Sequence, residues 1–498
     1  MDLVSMIPAA SVKAPFDVTN GGDFWYTHNL HAVVYDGEPH LAYSGQNHGR
    51  HVDYSSLVQG KNVILNDGYN VVKSWDFPGG NTTLNVHEFE LFSSTNDALW
   101  MADDHIKMDL SPWGGLKNDT LIATSFQDFN LATGSINFQW HAFDHIPIDE
   151  SCQPYENKWD YFHLNSVNKE LSEGNYVING YHGCAIYSVN GTDGSIIWRL
   201  GGFKSDFHIL DGYELRHMHH VRLRSLESTK LPASVRSQIS SQTHIALSIF
   251  DNGFNGIMAP TASSSSAIVL LLDLLARTAQ VVERYTPPFD SPVQYAALFG
   301  AVNFQSNGNR FIGWGASMSE YTQESQLLFH AEWDTGSDLS RSYRAYKGPW
   351  IGRPTTDPDV FSYSWTCFWD TTIYVSWNGA TEVVAWRVLG SAHSEGPFSP
   401  SAAAVTKVGF ETKVSLGSGF VGYVVVEALD AKGEILGRSK VTQTRVPPTT
   451  LARICTPFRC PGFAQDLQDI DISYTCHFDT EKIDIVQEVP QVVLNSPK

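Results

Sequence analysis

The 498-residue chain carries 33 Lys and Arg against 53 Asp and Glu, a formal net charge of −20, and 12% of its residues are aromatic. Its length calls for two or three domains. Its acidity repels phosphate backbones and argues against nucleic acid as a partner, and no apolar run reaches the roughly 18 residues of a membrane span.

The first 24 residues open with "MDLVSMIPAASVKAPF", which lacks a charged n-region and an apolar h-region. From residue 25 short strands dominate. "HAVVYDG", "HLAYSG", "YNVVKSW", "TLIATSFQDFN" and "INFQWHAFD" are followed by "YVINGY", "AIYSVN", "IIWRL", "HIALSIF", "RFIGWG" and "LLFHAEW". Each clusters or alternates apolar residues over 4–8 positions, and Gly, Asn and Asp punctuate them. "SAIVLLLDLLA" (266–276) is broken by Asp273 and reads as a buried strand. "LPASVRSQIS" is the best short helical candidate. Strands at this spacing indicate a sandwich, a barrel or a propeller.

One stretch is especially legible. "NYVINGYHGCAIYSVNGTDGSIIWRLGG" gives strand, turn, strand, "NGTDG" and a third strand, with Asn-Gly and Asp-Gly supplying the positive φ of tight hairpins. It reads as most of one propeller blade, with a weak echo in "NFQSNGNRFIGWGASMSEYTQ". The proline-bearing "RPTTDPDV" near residue 355 reads as a linker. The paired strands beyond it, around Trp377 and "YVVVEALDAKGEILGRS", fit a fibronectin-III-like sandwich. The organisation expected is an N-terminal segment (1–24), a β-propeller (25–355), a small β-sandwich (356–445) and an irregular cysteine-containing tail (446–498).

Six cysteines, Cys152, Cys184, Cys367, Cys455, Cys460 and Cys476, include no Cys-x-x-Cys pair, so a zinc ribbon is a poor reading. Sequons stand at Asn81, Asn118 and Asn190. With the cysteines they favour a secreted, disulfide-bearing glycoprotein of the secretory pathway or extracellular space, its signal peptide already cut.

Several runs together resemble the fungal branch of the arylsulfotransferase-like proteins: "HEFELFSSTNDALW", "QWHAFDHIPIDES", "NKWDYFHLNSV", "AIYSVNGTDGSIIWRLGG", "HIALSIFDNG", "NGNRFIGWG", "SYRAYKGPW" and "VSWNGATEVVAWRVL". They occur in the family's order across about residues 28–440. The resemblance implies an all-β, six-bladed propeller followed by a small sandwich, with ligands bound at the channel mouth. It also implies sulfate transfer from an aryl sulfate to a phenol through a sulfohistidine, without a nucleotide donor. A histidine nucleophile attacks sulfur while cationic or hydrogen-bonding groups hold the oxygens.

The candidate catalytic residues are His163, Tyr181, His219 and Arg222; the candidate substrate-binding residues are Asn165, His182, His220, Asp251, Asn252 and Trp314. His163 and Asn165 lie two apart and would share one face of a strand; the alternative is a structural hydrogen-bonded pair tying blades together. The family carries an arginine where this chain has Tyr181, and an arginine fork matches two sulfuryl oxygens as tyrosine cannot. The family's Gln-His-Asp-Ala-Arg aligns with Met218, His219, His220, Val221 and Arg222, so the acidic residue has become His220. In "ELRHMHHVRL" His217 and His219 would share a face and His220 would point away; two same-face imidazoles make a poor metal set. Asp251 and Asn252 form a turn that abuts the channel in the family, and Trp314 is either a ligand wall or core.

These departures favour a repurposed enzyme of fungal specialised metabolism. Its substrate is a hydrophobic phenol or quinone-methide-like molecule, and its reaction a hetero-Diels–Alder cycloaddition, as in some members of this branch. The alternative is a nucleotide-independent arylsulfotransferase; a non-catalytic binding propeller is the third reading. No cofactor and no metal are expected, and the partners are hydrophobic small molecules.

Overall fold

The computed structural model describes residues 25–446 apart from 48–59, 77–81, 232–235, 238, 255, 257–258, 292–293, 333–341 and 367. The N-terminal segment, the tail, Asn81, Cys367, Cys455, Cys460, Cys476 and half of "LPASVRSQIS" lie outside the described residues. The chain divides into two compact units between Trp350 and Ile351.

Among the described residues the larger unit holds five sheets, antiparallel except for two short added strands, Trp159–Asp160 and His208–Ile209. The first is β1 (Trp25–Tyr35), β2 (Glu38–Asn47), β3 (Gly60–Leu65) and β4 (Val71–Asp76). The second is β5 (Thr82–Phe92), β6 (Asp97–Met108), β7 (Asp119–Asn130) and β8 (Ile136–His141), with β9 (Trp159–Asp160) added parallel to β7. The third is β10 (Leu164–Lys169), β11 (Tyr176–Gly180), β12 (Ala185–Val189) and β13 (Ile196–Gly201). The fourth takes β14 (His208–Ile209), β15 (Met218–Arg224), β16 (His244–Asp251), β17 (Ser266–Asp273) and β18 (Thr278–Tyr285) in the order 14-18-17-16-15. The fifth is β19 (Ala301–Phe304), β20 (Arg310–Gly313), β21 (Ser317–Tyr321) and β22 (Leu327–Glu332).

Turn chemistry explains the meanders. Tyr35 pairs with Glu38 across Asp36 and Gly37, whose φ values are +52° and +80°, the geometry of a two-residue hairpin that splays neither strand. The legible stretch behaves as its glycines demand: β11, β12 and β13 follow one another as neighbours.

Burial explains the continuous apolar runs. Neighbouring sheets share cores, so a strand presents alternate side chains to two of them. Along β12, Ala185, Tyr187 and Val189 enter the core shared with the second sheet, whereas Ile186 enters the core shared with the fourth. "SAIVLLLD" is β17, buried throughout except Asp273, for the same reason. Further cores join the first sheet to the second and the fourth to the fifth.

In the second unit a sheet of Asp359–Tyr363, Thr372–Ser376 and Glu411–Ser415 shares a core with a sheet built on Ala385–Ser391 and Tyr423–Leu429. No helix among the described residues is long and apolar enough to cross a membrane.

One buried carboxylate gathers strands from four sheets. Glu88, 1% exposed, accepts from Arg222 Nη2 on both carboxylate oxygens at 2.9 and 2.8 Å and from Arg344 at 2.9 Å. Arg344 also donates to Asn29 of β1 at 3.0 Å and to the Asn165 carbonyl of β10 at 2.8 Å. Burial alone would push the Glu88 carboxyl up; Arg222 and Arg344 outweigh it and hold it below the usual carboxylate range. Its charge therefore stabilises the fold above that range, and the contribution is lost as pH falls through the lowered value. Glu88→Ala leaves two buried guanidinium groups uncompensated and is expected to cost about 3–5 kcal/mol in chemical unfolding, with Glu88→Gln costing less. An alanine variant as stable as wild type would remove the network from the account of the fold.

Candidate functional site

The site is assembled from irregularities in regular strands. A bulge between Asn85 and Phe89 in β5 carries His87. Asn85 Oδ1 accepts the His87 backbone N–H at 3.0 Å and lies 2.5 Å from its Nδ1, which makes Nδ1 the donor. His163 precedes β10 at φ +50°. Asp160 holds it there: Oδ1 accepts its backbone N–H at 3.0 Å and Oδ2 its Nδ1–H at 2.5 Å.

Tyr181 and His182 lie in the turn between β11 and β12. Gly180 is required before them, because a Cβ there would stand 2.5 Å from the Phe162 ring. The Tyr181 and His182 N–H groups donate to the carbonyls of His163 and Phe162 at 2.9 and 3.0 Å. The Cys152–Cys184 disulfide closes the turn, and the Cys152 N–H donates to the His182 carbonyl at 2.7 Å.

The rings meet one another. His163 lies 4.8 Å from His87, 5.4 Å from Tyr181 and 4.9 Å from His182 between centroids. Tyr181 lies 4.9 Å from His217 and 5.0 Å from His219. Tyr343 closes the cluster, 5.2 Å from His87 and 5.9 Å from His219. Tyr181, His217, His219 and Tyr343 are buried, whereas His87, His163 and His182 are partly exposed. The cluster thus has an open edge and a closed floor.

The imidazoles differ in charge. Burial alone would depress His163, but the Asp160 charge and hydrogen bond outweigh it and hold its pKa above the ordinary value. His182 is pushed down to about 4 by burial and then by the neighbouring His163. His219 is pushed down to about 3, chiefly by burial, and His87 falls well below the ordinary value for the same reason. Burial raises the phenols of Tyr181 and Tyr343. One imidazole whose charged form is favoured therefore stands among imidazoles pushed toward neutrality.

Of the ten residues expected at the site, His163, Tyr181, His182 and His219 come together. Asn252 stands behind His219, accepting its Nδ1–H at 2.8 Å. The others sit in structural bonds. Arg222 is held by Glu88. Asn165 does not share a face with His163, because the ladder is bulged between Leu164 and Ser166; its amide donates to the Met218 carbonyl and accepts from Asn179, both at 2.8 Å. His220, at φ +49°, accepts the Val302 N–H at 3.1 Å. Asp251 accepts from the Tyr213 hydroxyl and the backbone of Arg216 and Gly253. Trp314 is 1% exposed and donates to Ser319 at 3.0 Å.

Sequence reasoning missed His87, Asp160 and Tyr343 as site residues. Each lies inside a quoted run, "HEFELF", "WDYFHL" or "SYRAYKGPW", but only long-range packing brings the runs together. As possible metal ligands, Asp160, His163 and His182 each offer an atom within 4.8 Å of the others, although both Nδ1 atoms already face Asp160 oxygens. The set of Cys152, Cys184 and His217 offers only the sulfurs of a disulfide.

Comparison with curated proteins finds no match. Among solved structures, similarity extends to a glycosyl hydrolase from Bacteroides ovatus, 14% identical over 68% of this chain and 92% of that one, TM-score 0.32. A protein of unknown function from Bacteroides caccae is 11% identical over 63% of this chain and 89% of that one, TM-score 0.23. Scores this low carry no argument. Residues 59–334, more than half of the chain, match the arylsulfotransferase (ASST) family, and the chain is a member of that family.

Proposed function

We propose that the protein is an enzyme acting on the oxygen of a phenol-like substrate, with His163 as proton donor and the neutral imidazoles of His87, His182 and His219 as acceptors or nucleophiles. The observation that carries this reading is the Asp160–His163 pair at the partly exposed edge of the ring cluster. A carboxylate that orients an imidazole and stabilises its charged form makes a general acid.

Two chemistries fit this arrangement. In sulfuryl transfer, for which the family is named, a neutral Nε2 attacks sulfur. The aryl O–S bond breaks as the N–S bond forms, and His163 gives its proton to the departing aryl oxide. An acceptor phenol then gives its proton back to His163 as its oxygen takes the sulfuryl group and the N–S bond breaks. In cycloaddition, His163 protonates a benzylic hydroxyl that leaves as water, while a neutral imidazole takes the phenolic proton. The quinone methide that results is held against an alkene, and orientation supplies the rest.

The charge balance favours cycloaddition. Tyr181 stands where the family carries an arginine, and both Arg222 and Arg344 are spent on Glu88. Among the described residues of the ring cluster, His163 is the group whose charged form is favoured, and the two guanidinium groups behind it are already engaged in hydrogen bonds to Glu88. We further propose that the five sheets described in the larger unit are blades of the expected six-bladed propeller and that the second unit is a fibronectin-III-like sandwich. The Cys152–Cys184 disulfide and the exposed Asn118 sequon support passage through the secretory pathway.

Incubation with an aryl sulfate and a phenol separates the two chemistries: sulfur found on a histidine by mass spectrometry would select sulfuryl transfer. In either case His163→Ala is expected to lower turnover by roughly 10²–10⁴-fold; full activity without it defeats the reading. Because Asp160 raises the His163 pKa, the acid form is present below it and activity falls as pH rises through it. Asp160→Asn should move that alkaline limb to lower pH, and an unmoved limb argues against the pair. Tyr181→Arg should tighten aryl sulfate binding by about tenfold or more, through a charged hydrogen bond, as read by calorimetry.

A further inference from the structure

We propose that residues 295–299 form an apolar recognition rim of this site, and that Leu298 and Phe299 select phenols bearing a hydrophobic substituent. The inference rests on the reading of the cluster as an aryl-oxygen site and names the substrate class it takes.

The rim is held by the site's own side chains. The Tyr181 hydroxyl donates to the Ala297 carbonyl at 2.6 Å. The Asn252 amide donates to the carbonyls of Ala296 and Phe299, the latter at 2.9 Å, while its oxygen accepts from His219. The Gly300 N–H donates to the Tyr343 carbonyl at 3.1 Å. Two residues of the ring cluster, Tyr181 and Tyr343, and Asn252, the partner of a third, thus fix one short segment.

Within that segment Leu298 is 53% exposed, and the Phe299 ring is partly exposed, 6.3 Å from Tyr343. A lone exposed leucine needs no explanation on a flexible loop. Here the backbone has little freedom, since Gly300 sits at φ +146°, where a Cβ would fall 2.2 Å from the Phe250 ring. Pre-ordered apolar surface beside convergent polar groups is the composition of a small-molecule site: the polar groups orient and the apolar ones supply affinity without an ordering cost. The partly exposed imidazoles address the substrate oxygen. Phe299, in ring contact with Tyr343, and the exposed Leu298 preceding it in the chain are the apolar surface that would receive a carbon chain.

The test is calorimetric binding of 4-alkylphenols of increasing chain length to the full chain. In wild type the Kd should fall about fourfold per added methylene, the transfer free energy of one CH₂. In Leu298→Ser and in Phe299→Ala the slope should drop to about twofold or less. Leu298 is exposed, so the serine variant does not threaten the fold, and equal melting temperatures check this. An unchanged slope in both variants overturns the rim, as does a wild type that shows no chain-length slope or binds no alkylphenol. Failure of the aryl-oxygen reading looks different: the slope is present and falls in the variants, but His163→Ala leaves turnover intact.

Discussion

A carboxylate sealed from water is costly unless cations meet it, and Glu88 makes the larger unit satisfy that requirement in a particular way. Its two guanidinium partners come from β15 and from the segment at Arg344, and that segment also reaches β1 and β10. Strands distant in sequence must therefore converge before the charge is neutralised. Apolar cores between neighbouring sheets hold each pair together, but they are adaptable in detail. The Glu88 network tolerates only one arrangement of donors. A buried ion pair is weak evidence of net stability; its better use here is to specify which strands meet.

The same hub shapes the neighbouring chemistry. His87 directly precedes Glu88, on the bulge that lets both leave the regular ladder. His163, His217 and His220 adopt positive φ, at +50°, +56° and +49°. Such backbone is uncommon for residues with a side chain and persists only where surrounding contacts over-determine it. Asp160 supplies those contacts for His163. Regular strands alternate their side chains strictly, and alternation cannot place this many imidazoles around Tyr181. Bulges and left-handed residues re-aim them.

This explains what was legible in the sequence. Strand content and the β11–β13 meander follow from local signals, because apolar runs and Asn-Gly or Asp-Gly turns act within a few residues. His163 and His219 were singled out through motifs shared with the resembled family, and Tyr181 through a departure from one; the structure brings these three and His182 into one cluster. The rule of two failed between His163 and Asn165, where a bulge intervenes. Arg222 was singled out because it aligns with an arginine of that family; the fold shows it bonded to Glu88. Asp160 was hidden for the opposite reason: three residues from His163, it resembles an ordinary turn former, and its role appears once the carboxylate is seen against the ring.

The charge distribution then bears on what family membership can mean. Transfer of an anionic group needs positive charge that survives folding unspent. Two buried arginines, Arg222 and Arg344, are committed by hydrogen bonds to Glu88, which cancels one of their two charges, and Tyr181 is a phenol whose proton is made harder to lose by burial. Within the ring cluster one imidazole is held toward its charged form by its own aspartate, among imidazoles that burial pushes toward neutrality. Such an arrangement can move protons between oxygens with little net charge change. The scaffold of the family is thus compatible with chemistry other than the one for which the family is named, because function resides in the charges a site leaves free and not in the fold that carries them.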